Sequence, residues 1–173
     1  MDGERGRGAA LQRIAALRLC EANPKLRVSI LDFPNVIKLG EEKVAEVGLA
    51  DRITFIGGNA LEAEWPSDVG AVLMSYLFNG VPGDSIPDLA RHAYDVMQPG
   101  GLYIVHDFMV EDDRSGPQLA ALWQLQHLAF TPAAKSITPT WVSGVMEGTG
   151  FTDINVEVLI PGMTKVVWGR KPA

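Results

Sequence analysis

Asp32 closes an apolar stretch, Arg27-Val28-Ser29-Ile30-Leu31-Asp32, that reads as a β-strand, and Pro34 just behind it opens a helix. In a parallel sheet, ligands sit in the crevice at the carboxyl ends of the strands. A carboxylate at that point can accept both ribose hydroxyls of a nucleoside cofactor. The alternative is an aspartate that caps the following helix. His106 and Asp107 end a second strand-like stretch, Leu102 to Phe108. A neutral imidazole oriented by a carboxylate suits proton transfer near pH 7. Adjacent strand residues point to opposite faces, so these two cannot simply pair with each other; a structural histidine at a strand end is the alternative. Asn79 follows a long apolar run, Ala71 to Phe78, yet an amide cannot take a proton near pH 7. Within that run Ser75 and Tyr76 carry hydroxyls that need a partner if buried, either backbone or a bound ligand. Asn59, after Gly57-Gly58, is a turn residue by type.

The elements that must place these residues alternate between helix and strand. Ala9 to Ala22 has helical spacing, with Leu11, Ile14, Ala15, Leu19 and Ala22 on one face, and Asn23-Pro24 ends it. The helix from Pro34 carries Val36, Leu39, Gly40, Val44 and Val47 on one side, and Gly48 is placed to stop it. Ile53 to Ile56 is a short strand, and Ala71 to Phe78 reads as a buried parallel one. Asp84 or Ser85 can cap a helix through Met97, which Pro99-Gly100-Gly101 breaks. Gly116 to Phe130 and Thr138 to Thr149 read as helices. Ile154–Ile160 and Thr164–Gly169 read as strands so close in sequence that they must pair antiparallel. Helices between the other strands imply right-handed crossovers and a mostly parallel sheet.

Composition narrows the function. The 173 residues include 15 basic and 21 acidic ones, a net charge of −6. One core suffices for that length, and two domains are not expected. Without a basic stripe, nucleic acid is not expected as the main partner. No apolar run approaches the roughly 18 residues that cross a bilayer, and Met1 to Gly8 lacks a signal-peptide core. One cysteine, Cys20, excludes an intrachain disulfide and a multi-cysteine zinc site. A cytoplasmic protein with no metal is expected.

The order of motifs carries a resemblance. An acidic residue ends a strand, and Gly-Gly-Asn follows the next. A long apolar strand, Pro-Gly-Gly before another, Gly150-Phe151 and a terminal hairpin complete the series. From about Asn23 to Arg170, most specifically over Leu26 to Asn59, it resembles the class I S-adenosylmethionine-dependent methyltransferases. Within them it is most similar to the catalytic domain of the small-molecule O-methyltransferases. The resemblance implies an α/β fold with a Rossmann-like, mostly parallel sheet and a C-terminal antiparallel hairpin. It implies S-adenosyl-L-methionine as cofactor and a small aromatic, polyketide or tetrapyrrole-like acceptor, methylated at oxygen. It places Asp32 on the ribose, Phe33 against adenine, and Asn59, where the family usually has Asp, beside the adenine amino group with Ala60 and Leu61 on the same rim. Ser75 and Tyr76 fall where family members contact the cofactor. At the family's Leu-His-Asp-Trp motif, whose His is the general base, this chain has Phe78-Asn79-Gly80-Val81. General-base catalysis is typically worth roughly 10² to 10⁴ in rate. Three explanations stay open at that position: His106 substitutes, proximity dominates, or the accepting atom is not a hydroxyl oxygen. His92 and His127 are expected to be surface or core residues; Tyr94, Trp123 and Trp141 could line an aromatic substrate pocket, but aromatic residues at helical spacing are usually core.

The N-terminus departs furthest. The family's first motif is a strand followed by Asp-x-Gly-Gly-Gly-x-Gly, whose glycines let backbone approach the cofactor. Asp2, Gly6 and Gly8 match that spacing, Glu4 and Arg5 replace two glycines, and no strand precedes them. Gly6 and Gly8 are the candidate cradle; a solvated leader is the alternative. A dinucleotide-binding glycine motif fits less well, because Leu11 stands at the third glycine. The expected organisation is a leader and first helix with a degenerate glycine motif over 1–22 and the catalytic domain over 23–173, with the sheet's first strand missing. The family's N-terminal helical domain, which forms the dimer, is also absent from this sequence, so a homodimer is expected only where that domain exists. A missing central strand would leave two unpaired sheet edges and exposed apolar surface. Three functions compete: a methyltransferase, a catalytically impaired remnant that binds cofactor or a partner, and a different nucleotide-binding α/β protein.

Overall fold

The computed structural model describes residues 15–173. The length argument predicts a single core; the chain instead falls into two compact units, one through Pro66 and one from Ser67 to Ala173.

In the first unit the described part of helix α1 covers residues 15–22. It is followed by β1 (Val28–Asp32), α2 (Pro34–Glu46) and β2 (Ile53–Gly57). β1 and β2 pair in parallel, with Val28 opposite Ile53 and Asp32 opposite Gly57. Ala16, Cys20, Val44, Leu49 and Ile53 are buried together, and Leu26, Val28, Ile30 and Phe55 pack against them. Cys20 is thus a packing residue.

α2 starts where the sequence places it. Pro34 occupies the first turn, where its missing N–H costs nothing, and Phe33 before it is extended. Val36, Ile37, Gly40 and Val44 are its buried residues. The expected face differs: Leu39 and Val47 are exposed and Ile37 takes the inner position. Gly48 ends the helix with φ +71°, a left-handed conformation that only glycine adopts without strain.

Arg52 ties the end of α1 to β2. Its Nη1 lies 2.9, 3.1 and 3.0 Å from the carbonyl oxygens of Cys20, Asn23 and Pro24. Those carbonyls cluster where a helix ends and lacks internal donors. Arg52→Met should lower stability by about 2 kcal/mol, the usual contribution of hydrogen bonds to a charged group. The urea midpoint reads this; an unchanged midpoint would mean that water replaces the guanidinium at no cost.

The second unit holds a four-stranded sheet in the order β3-β4-β6-β5. Its strands are β3 (Val69–Ser75), β4 (Met97–Asp107), β5 (Thr152–Ile160) and β6 (Thr164–Arg170). Its helices are α3 (Ile86–Val96), α4 (Gln118–Phe130) and α5 (Pro139–Thr149). β3 and β4 are parallel, and β6 runs antiparallel to both β4 and β5. The expected C-terminal hairpin is therefore present, with β6 as its inner strand. Tyr103, Phe78, Ile86, Leu89, Met109, Ile137 and Met146 are the largest fully buried side chains of this unit. Among the described residues, β1 pairs only with β2 and β3 only with β4.

Two local expectations change. Pro99-Gly100-Gly101 does not end an element but lies inside β4, where the register slips between Val69 opposite Met97 and Ala71 opposite Leu102. A Cβ at Gly101 would lie 2.8 Å from the Gln98 oxygen and 3.2 Å from the Gly70 oxygen, so the bulge needs glycine there. Ser85 occupies the start of α3 without capping it; its hydroxyl donates to the Pro82 oxygen at 2.7 Å. Thr138 does cap α5, accepting from the Trp141 N–H at 3.2 Å.

Candidate active site

In the first unit, Asp32 stands at the carboxyl end of β1, half-buried, and Oδ1 accepts the Phe33 N–H at 2.8 Å. Its backbone oxygen accepts the Gly58 N–H at 3.0 Å, which fixes the turn after β2 against the end of β1. That turn is an Asx turn: Asn59 Oδ1 accepts the Leu61 N–H at 3.1 Å, and its backbone oxygen accepts those of Glu62 and Ala63. Asn59 Nδ2 reaches Glu62 at 3.3 Å, and the Ala60 carbonyl accepts the Trp65 indole N–H at 3.1 Å. Gly57 lies under the first turn of α2, where an added Cβ would touch the Pro34 ring at 3.5 Å. Phe33 is 54% exposed. The first unit thus has Asp32 and Phe33 at the end of β1 and Asn59 and Ala60 in the turn after β2, the residues that the resemblance assigns to the cofactor.

In the second unit, the carboxyl ends of β3 and β4 gather Ser75, Tyr76, Asn79, His106 and Asp107. Ser75 pairs in register with His106, and its Oγ lies 3.5 Å from His106 Nδ1. Thr164 Oγ1, from β6, lies 3.0 Å from Nε2. A hydroxyl can donate or accept, so a neutral imidazole is satisfied in either tautomer. Burial holds the His106 pKa below the usual 6.5, which favours the neutral form. As the alternation of strand faces requires, the ring nitrogens meet these two hydroxyls and not Asp107. Tyr76 has φ +55°, rare for a bulky residue, and its ring meets His106 edge-on at 4.7 Å. Burial, then the Asp107 charge, raises the Tyr76 pKa. Phe108 stacks on Trp123 at 4.4 Å beside Tyr76, and the buried Trp123 Nε1 has no partner among the described residues.

Asp107 serves a different purpose from His106. It is fully buried and accepts three N–H groups. Asn79 Nδ2 reaches Oδ1 at 2.6 Å, the Asn79 backbone N–H reaches Oδ2 at 3.3 Å, and the Phe108 N–H reaches Oδ1 at 2.8 Å. Burial outweighs these donors and pushes its pKa up to about 6. Asn79 Nδ2 also donates to the Phe108 oxygen at 3.0 Å. Both amide hydrogens are thus used in tying the turn after β3 to the end of β4. Gln124, from α4, adds to this by donating to the Phe108 and Ile137 oxygens at 2.8 and 2.9 Å.

Gly6 and Gly8 lie outside the described residues. Trp123 joins the aromatic group, whereas Tyr94 packs on Phe151 and Trp141 under Lys135. Sequence reasoning missed Thr164 and Gln124. Among the described residues no cluster of His, Cys, Asp and Glu could hold a metal, and no helix is long and apolar enough to cross a membrane.

In each of the two units, parallel strands carry polar residues at their carboxyl ends, where α/β proteins bind their ligands. The chain belongs to the O-methyltransferase domain family, whose profile matches residues 1–152. It is 33% identical over 138 residues to an L-tyrosine C(3)-methyltransferase from Streptomyces lavendulae, covering 80% of this chain and 37% of that one. It is 28% identical over 172 residues to a 3-hydroxy-5-methyl-1-naphthoate 3-O-methyltransferase from Streptomyces sahachiroi, covering 99% of this chain and 48% of that one. The crystal structure of the S-adenosylmethionine-dependent methyltransferase SibL superposes with a TM-score of 0.80 at 28% identity, covering 97% of this chain and 49% of that one. The chain therefore spans about half the length, or less, of these relatives.

Proposed function

We propose that the protein is an S-adenosylmethionine-dependent methyltransferase that methylates a small aromatic, polyketide or tetrapyrrole-like acceptor at oxygen. The observation that carries this reading is Asp32 at the carboxyl end of a parallel strand in a chain of the O-methyltransferase domain family. A carboxylate at the carboxyl end of a parallel strand accepts hydrogen bonds from hydroxyl groups, which suits the two ribose hydroxyls of the cofactor. Phe33 offers a partly exposed ring to adenine, and Asn59 with Ala60 forms the rim beside it. Ser75 and Tyr76 supply polar contacts; Gly6 and Gly8 are assigned on the family resemblance. The cofactor supplies an electrophilic methyl group on a sulfonium. The protein's part is chiefly to hold the acceptor in line with it, and such positioning alone removes much of a barrier. His106, held neutral, takes the acceptor proton by exchanging one of its hydroxyl partners for the substrate. Asn79 acts as a positioning residue through Asp107. The net charge of −6 supports a small-molecule acceptor over nucleic acid.

Titration with S-adenosylhomocysteine tests the reading. Asp32→Ala should weaken binding at least tenfold; equal affinity in wild type and variant would remove the ribose assignment. One observation favours a second reading, a cofactor-binding remnant: the residue at the family's general-base position is an asparagine buried in a structural tie. Cofactor binding without turnover of any phenolic acceptor would select it.

A further inference from the structure

Among the described residues outside those assigned above, one charged group is buried. The Lys165 side chain, on β6, is 7% exposed, and its Nζ lies 2.7 Å from Glu111 Oε1. The contact is an ion pair without an aligned hydrogen bond, so the buried ammonium keeps unspent donors. Glu111, by contrast, is 52% exposed. The pair lines an open groove of about 330 Å³, walled by Pro117, Val158, Ile160 and Met163. Val158 and Ile160 are themselves exposed apolar side chains. Thr164, the partner of His106 Nε2, lines the same groove.

The charges restrict what can bind there. A simple anion on the unspent donors of Lys165 would sit beside the Glu111 carboxylate and be repelled by it. A simple cation on Glu111 would sit beside the buried Lys165 ammonium, which is equally unfavourable. A molecule carrying both charges exchanges one ion pair for two and leaves the groove neutral. The apolar walls require a hydrophobic group beside those charges. The volume lies at the low end for ligand pockets, so that group is a single ring or a short aliphatic chain.

We propose that this groove binds a small zwitterionic acceptor of the aromatic amino-acid class, with its carboxylate on Lys165, its ammonium on Glu111 and its ring on Val158, Ile160 and Met163. The acceptor role rests on the methyl-transfer reading; the binding site does not. Calorimetric titration of the chain with L-phenylalanine, 3-phenylpropionate and phenethylamine tests it, with S-adenosylhomocysteine titrated in parallel. L-Phenylalanine should bind, and both singly charged analogues should bind at least tenfold more weakly. Glu111→Gln, at an exposed position, should cost L-phenylalanine at least tenfold and 3-phenylpropionate little. Lys165→Met should abolish binding of L-phenylalanine and leave S-adenosylhomocysteine affinity unchanged. Equal binding of L-phenylalanine and 3-phenylpropionate, or indifference to Glu111→Gln, overturns the zwitterion assignment. Loss of S-adenosylhomocysteine binding in a folded Lys165→Met variant assigns the groove to the cofactor's own amino-acid end and overturns the acceptor role. L-Phenylalanine binding by a chain that ignores S-adenosylhomocysteine would refute the methyl-transfer reading and leave the site standing. The converse refutes the site alone.

Discussion

Asn79→Asp should destabilise the second unit severely at pH 7.5 and much less at pH 4. The substitution puts a second carboxylate where Nδ2 now sits 2.6 Å from Asp107 Oδ1, with both residues essentially inaccessible to water. Two buried carboxyls at that distance cannot both ionise, but they can share one proton. At low pH the shared proton restores a hydrogen bond. At pH 7.5 it must be lost or held against solution, and breaking a buried charged contact costs about 3 to 5 kcal/mol. The wild type already has a weaker form of this dependence. Burial raises the Asp107 pKa from 3.8 to about 6, so the folded state binds the proton more tightly than the unfolded chain. The group's contribution is fully present below the unfolded value and is lost as pH rises through the folded one, so stability falls across that window. Urea midpoints at the two pH values measure both effects. Asp107→Asn should flatten the wild-type slope between pH 4 and 6. An Asn79→Asp loss of equal size at both pH values would show that the cost is shape and not charge.

The same pair illustrates what the sequence reveals and what it withholds. The positions of Asp32 and Asn59 are legible because Asp32 ends β1, Asn59 lies two residues past the end of β2, and one helix links the two strands. Their neighbourhood is set by local spacing and a parallel register. Leu39 and Val47 mislead because a helical face read from apolar residues can be rotated by one position without violating the pattern. Thr164 is invisible for a different reason. It reaches His106 only because β6, not β5, lies beside β4, and strand order depends on pairings between segments about 58 residues apart. Asn79 reads as a defect against the family motif, yet its amide does structural work that histidine could not reproduce: two donors on one nitrogen, one to a carboxylate and one to a carbonyl. Lys165 reads as an ordinary strand-end lysine until the loop carrying Glu111 is seen against it.

His106→Gln should reduce turnover of the acceptor by about 10² to 10⁴, the usual contribution of a positioned general base. Glutamine preserves an acceptor and a donor near the Ser75 and Thr164 hydroxyls but cannot bind a proton. The fold and the affinity for S-adenosylhomocysteine should therefore stay within about twofold of wild type, which separates a chemical role from a structural one. The pH profile supplies an independent check. Only the neutral imidazole can act as base, and burial lowers its pKa from 6.5. The acid limb of kcat/KM should thus lie below pH 6.5, and the His106 ring signal in NMR should titrate with it. His106→Gln should abolish that limb. A variant that keeps full turnover would assign the proton to solvent and the rate to positioning alone. That outcome would also account for Asn79: a site that needs no base can give the family's base position to an amide that clamps Asp107.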